Sequence, residues 1–122
     1  MLFLAEQFAT LPDEYRSLVE DWVETFEIEP SADEPVNLVG LVLIARLTRL
    51  YGIGEVELEG STETGLVTFG DRRPDGVVPV LVRASAEIVA QALASQDYRF
   101  ELVAIRHGLT SIAASGVRKF RR

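Results

Sequence analysis

Thr10-Leu11-Pro12-Asp13-Glu14-Tyr15-Arg16-Ser17-Leu18-Val19-Glu20-Asp21-Trp22-Val23-Glu24-Thr25-Phe26-Glu27-Ile28 is the stretch on which the fold turns. Tyr15, Leu18, Val19, Trp22, Val23 and Phe26 recur at i, i+3, i+4, i+7, i+8 and i+11, which is the spacing of one helix face. Thr10 supplies a cap, and Asp13 and Glu14 fall where the helix dipole favours negative charge. Residues 10–28 therefore predict an amphipathic helix, with Glu20, Asp21 and Glu24 on its solvated back.

Working outward, residues 29–35 form a connector, because two prolines and three acids cannot extend a helix. Residues 36–51 predict a second helix, with Pro35 in its first turn, Gly52 as its stop and apolar side chains almost all round. Gly40 marks a close helix crossing in this reading. Glu55-Val56-Glu57-Leu58-Glu59 alternates as a strand, with Val56 and Leu58 inward and the glutamates outward. Leu66–Phe69 and Val77–Arg83 are two further strands, separated by a Pro74-Asp75-Gly76 turn. Pro79 places the later strand at an edge or a bulge. Ser85 caps a third helix over 86–96. Tyr98–Ile105 and Leu109–Ala114 are strands joined by a His107-Gly108 hairpin turn, and Ser115-Gly116 ends the second of them. Val117–Arg122 is then a last strand or a loose tail. The expected fold class is α+β: an antiparallel sheet of about five strands covered by helices on one face, in the order α-α-β-β-β-α-β-β. The 122 residues make one domain, with 1–34 as an acidic helical arm and 35–122 as the α+β core. In size, charge and expected element order the chain resembles small acidic α+β secretion chaperones; no site residue is transferred from them.

Charge is uneven along the chain. Residues 1–34 carry ten acids and one base, residues 99–122 carry six bases and one acid, and the net charge is −7. Such acidity repels nucleic acid at long range, so nucleic acid is not expected as the main ligand. With no cysteine, disulfides, thiolate nucleophiles and Cys-based metal sites are excluded, and a cytoplasmic location fits. Met1–Ala9 is apolar but has no positive n-region, so it is not expected to act as a signal peptide. The longest apolar run, Leu38–Ala45, is far short of the ~20 residues that cross a bilayer, so no membrane association is expected.

Groups that carry chemistry are sparse. His107 is the sole histidine and sits in a turn, with no Gly-x-Ser-x-Gly elbow in the sequence. Gly52-x-Gly54 lacks the rest of a phosphate loop. Glu55, Glu57 and Glu59 lie about 7 Å apart along one strand face, a spacing open to a hard cation or to carboxylate chemistry, but a solvated face explains them as well. No catalytic residue, cofactor or metal site is expected.

These observations point to a non-enzymatic protein-interaction module: an adaptor, chaperone or inhibitor acting through an acidic and apolar surface. Its partner is another protein, and the chain is expected to be a homodimer. Phe3, Phe8, Trp22 and Phe26 are the candidate interface residues, because aromatics dominate interface hot spots. Glu20, Asp21, Glu24, Glu55, Glu57 and Glu59 are the candidate acidic surface. Arg118, Lys119, Arg121 and Arg122 are candidate anion contacts, though the same cluster can equally pair with the acidic helix expected at 13–28 or stay solvated. Two alternatives stand beside this reading: a nucleic-acid accessory protein using the basic C-terminal residues, and a small carboxylate-dependent enzyme using Glu57, Asp71, Asp75 and His107.

Overall fold

The computed structural model describes residues 9–52 and 54–122. Strands hold 53% of the described residues and helix 6%. The expectation of an α+β fold with helices over the sheet and a helical arm is thereby corrected, and the likeness to α+β secretion chaperones loses its basis. The elements are β1 (Ala9–Thr10), β2 (Glu14–Ser17), β3 (Trp22–Ile28), β4 (Val42–Arg49), β5 (Val56–Ser61), β6 (Val67–Phe69), β7 (Val78–Ala84), α1 (Ala86–Ala92), β8 (Asp97–Arg106) and β9 (Leu109–Arg121).

They form two sheets. The larger has the order β1-β9-β8-β4-β5, with β2 also on β9; the smaller has the order β3-β7-β6. β1 and β2 run parallel to β9, pairing Ala9 with Ala114 and Glu14 with Arg118. All other pairings are antiparallel.

The two predicted helices are strands for identifiable reasons. In β3, Trp22, Glu24, Phe26 and Ile28 point inward while Val23, Thr25 and Glu27 point out, a period of two. An inward glutamate hides that alternation, and the aromatic and β-branched residues on both faces imitate a helical stripe. In β4, Leu43, Ala45 and Leu47 are buried while Val42, Ile44, Arg46 and Thr48 alternate with them. A strand with apolar residues on both faces is indistinguishable by periodicity from a buried helix. Gly40, with φ +73, belongs to the turn before β4 and marks no helix crossing.

Smaller corrections follow from the ladders. A register shift between Leu47 and Thr48 turns Val56 outward, opposite Thr48, while Leu58 opposes the buried Leu47. Pro79 sits in the central strand of the smaller sheet, where Gly70 N–H donates to its carbonyl at 2.8 Å. In a strand, N–H and C=O of one residue face the same side, so the missing donor falls just past the end of β6. Ser115-Gly116 does not end β9. The missing side chain at Gly116 admits Leu11, whose Cβ lies 2.8 Å from where a Cβ on Gly116 would stand.

The strands over 66–69 and 77–83, the Ser85-capped helix, the strand over 98–105 and the His107-Gly108 turn all appear near their expected positions. Asp21 adds a second acceptor at the start of α1, taking the Ala86 N–H at 2.9 Å.

The core lies between the sheets. Trp22 from β3, fully buried, meets the Phe100 ring edge-on at 5.6 Å and the Phe120 ring at 6.4 Å. Phe26 stacks on Phe100 at 5.8 Å, and Tyr98 meets Phe120 edge-on at 5.6 Å. Such aromatic contacts add about 0.5–1.5 kcal/mol each beyond area burial. Among the described residues, no helix is long and apolar enough to cross a membrane.

Candidate functional site

The residues singled out from sequence do not converge on one site. Phe3 and Phe8 lie outside the described residues. Trp22 is core, and Phe26 is half-buried against Phe100. Of the acidic set, Glu20 and Glu55 are exposed. Asp21 pairs with Arg83 at 2.6 Å, Glu57 with Arg49, and Glu59 with Arg46 at 2.8 Å. Hydrogen bonds from Arg83 and from the Ala86 N–H hold the Asp21 carboxyl below its usual range. Of the basic set, Arg118 is 2% exposed, Lys119 lies over the Tyr15 ring at 5.6 Å, Arg121 pairs with Asp97 at 2.9 Å, and Arg122 is exposed. Val117–Arg121 is part of a paired strand, so these cations point in several directions.

Glu24 is the densest electrostatic centre. Its side chain enters the core from β3, where Arg118 donates Nε–H and Nη2–H at 2.9 and 3.1 Å. Arg16 of β2 donates a second fork at 3.0 and 3.0 Å, and the Trp22 indole N–H adds a bond of 2.8 Å. Burial pushes the Glu24 carboxyl up; the bonds from Arg118, Arg16 and Trp22 outweigh that and hold it below the usual carboxylate range. Arg118 also donates to the Pro12 carbonyl at 2.9 Å and packs over Phe100 at 5.6 Å. Every oxygen of this carboxylate is committed to the protein. It is a clasp between β2, β3 and β9, with no vacancy for a substrate. Sequence reading allows the basic cluster at 118–122 to pair with the acidic stretch at 13–28, but it puts Glu24 on a solvated face and does not single out Arg118 or Arg16 as its partners, which lie 94 and 8 positions away.

A site with room for a ligand lies at the opposite end of β9. Positive φ at both His107 (+52) and Gly108 (+76) makes the tight turn of the β8–β9 hairpin. Opposite pairs in this hairpin share a face, so Ser111 lies beside the buried Ala104, and Leu109 beside Arg106. The smaller sheet does not cover this end: Leu109 is 77% exposed. A cavity of about 340 Å³ opens there, lined by Leu41, Ala104, Arg106, His107, Leu109, Thr110 and Ser111. The preceding loop braces it. Arg106 Nη2 donates to the Asn37 carbonyl, and the His107 Cε1 atom lies 3.9 Å from the position a Cβ on Gly40 would take. Val39 on the same loop is 76% exposed, and Ile112 of β9 is also exposed.

Among the described residues, the lining offers one guanidinium, one imidazole and two hydroxyls beside apolar walls. No hydrogen bond or ion pair joins His107 to Glu57, Asp71 or Asp75 among the described residues; Asp75 instead accepts from Val77 N–H at 3.0 Å. Among the described residues, no group of three or more His, Cys, Asp or Glu could hold a metal ion. The sequence does contain one signal for this site, the histidine next to Gly108, which reads as a turn residue and, in the enzyme alternative, as a partner of Glu57, Asp71 and Asp75. No protein-family model matches the chain, and no curated protein matches it significantly.

Proposed function

We propose that this chain is a non-enzymatic protein-interaction module whose contact surface is the open end of the β8–β9 hairpin. One observation carries the reading: Leu109, a large apolar residue 77% exposed, stands in solvent on the wall of the 340 Å³ cavity, with Leu41 and Ala104 beside it in the lining. An exposed apolar side chain at a largely apolar concavity is a common form of contact site. The acidic surface expected from the sequence supports the reading less, since Asp21, Glu24, Glu57 and Glu59 have arginine partners within the chain.

A photo-cross-linking residue placed at Leu109 in the native cell tests the proposal. The expected result is a discrete protein adduct from position 109 and none from the exposed Glu63. Adducts from position 63 with none from position 109 would refute it. Light scattering of the purified chain reports whether the partner is a second copy.

A further inference from the structure

We infer that the hairpin-end cavity receives a peptide segment in which an acidic residue lies next to a large apolar one. The inference rests on this end being the contact surface and adds the chemistry of what it contacts.

Three observations carry it. The first is charge. The chain is acidic overall, at −7, yet among the described residues the cavity lining contains Arg106 and no carboxylate. Arg106 makes one hydrogen bond among the described residues, to Asn37, and its Nε is buried without a partner. A guanidinium has five N–H donors and no acceptor; with Nε closed off and Nη2 on Asn37, Nη1 has no partner among the described residues and is the donor an incoming carboxylate would meet.

The second is shape. Leu41, Ala104 and Leu109 supply apolar walls, and 340 Å³ is in the range of about 300–1,000 Å³ of ligand sites, enough for one large side chain. An anion with no apolar neighbour would leave Leu109 in water.

The third is backbone strain. His107 is the one non-glycine residue with positive φ among the described residues. Glycine or asparagine fits the first position of this turn with less strain. Strain retained at a cavity wall points to a use for the side chain. Here the imidazole extends the wall over Gly40.

The probe is a phage-displayed library of random peptides panned on the full chain, followed by fluorescence polarisation with the enriched peptides. The expected consensus places Asp or Glu within two positions of Leu, Ile or Phe. Thr110→Glu, an exposed rim position, should weaken the enriched peptides about tenfold, the effect of one lost charge pair. Arg106→Glu should do the same and, when panned in turn, return basic peptides. Circular dichroism checks that both variants fold; should Arg106→Glu fail to fold, Thr110→Glu alone decides. A consensus without acids, or unchanged affinity in Thr110→Glu, overturns the inference. So does stoichiometric binding of anilinonaphthalene sulfonate at this cavity with no peptide enriched, which would assign the site to small amphiphilic anions. If peptide binding fails but the position-109 cross-link still captures a protein, this inference falls and the interaction reading stands. If that cross-link also fails, both fall.

Discussion

Arg118 and Glu24, 94 positions apart, meet as a bidentate ion pair of 2.9 and 3.1 Å inside the core, each no more than 5% exposed. The pair ties the last strand, β9, to the first strand of the smaller sheet, β3, with Arg16 of β2 closing the other side. An inward charge on an edge strand also discourages wrong pairing, because a slipped register would leave it unneutralised.

Removing one partner strands a buried charge. Arg118→Met should lower unfolding free energy by about 3 kcal/mol, read as a shift in the urea midpoint. The double variant Glu24→Leu with Arg118→Met should recover part of that loss. Equal midpoints for Arg118→Met and the parent chain would show that the clasp contributes nothing.

Glu24 also sets an acid limit. Its carboxyl is held below the usual range in the folded chain and returns to about 4.3 when unfolded. The folded form therefore binds fewer protons, and the stabilisation is present above about pH 4.3 and lost as pH falls through the lower folded value. Urea midpoints measured from pH 7 to pH 3 should drop more steeply in the parent than in Glu24→Gln. Parallel profiles would contradict the assignment.

Gly116 is where Leu11 crosses β9. Gly116→Val places a side chain against the Leu11 Cβ and backbone oxygen, and should cost about 2 kcal/mol, typical of overpacking. Thermal melts measure it. Gly54, also a glycine but with open space where a Cβ would stand, has φ +74, so its replacement probes backbone strain alone.

His107→Gly should stabilise the hairpin by about 0.5–1 kcal/mol, because glycine occupies positive φ without strain. The same change should weaken peptide capture at the cavity. A stabilised variant with undiminished capture would make His107 a turn residue and nothing more.

Leu109→Glu should leave stability within about 0.5 kcal/mol, since the side chain is already in water, and should abolish partner capture. Loss of capture accompanied by loss of folding would instead make Leu109 structural.

Elements with a local cause were legible before the fold was seen. Ser85 caps its helix through its own hydroxyl to Ile88 N–H, Pro74-Asp75-Gly76 turns by its own φ preferences, and His107-Gly108 closes a hairpin between adjacent strands. The stretch 10–28 was misread because β3 pairs with β7, more than 45 positions away. In 36–51, β4 has one remote partner, β8, and one nearer, β5, but apolar residues on both of its faces hid the strand period. The cavity was equally invisible, since Leu41 and Leu109 become neighbours only when the loop before β4 folds back to the hairpin tip.

By itself, then, the order of residues determined turns, caps and chemical inventory: no thiols, one histidine, and bases concentrated at the C-terminal end. Tertiary structure decided that the first apolar stretches are strands, that Glu24 is buried and neutralised, and that one end of the hairpin stays open. The physical reason is that a strand's hydrogen bonds and a buried charge's counter-ions come from distant segments, whereas a turn or cap is satisfied within a few residues.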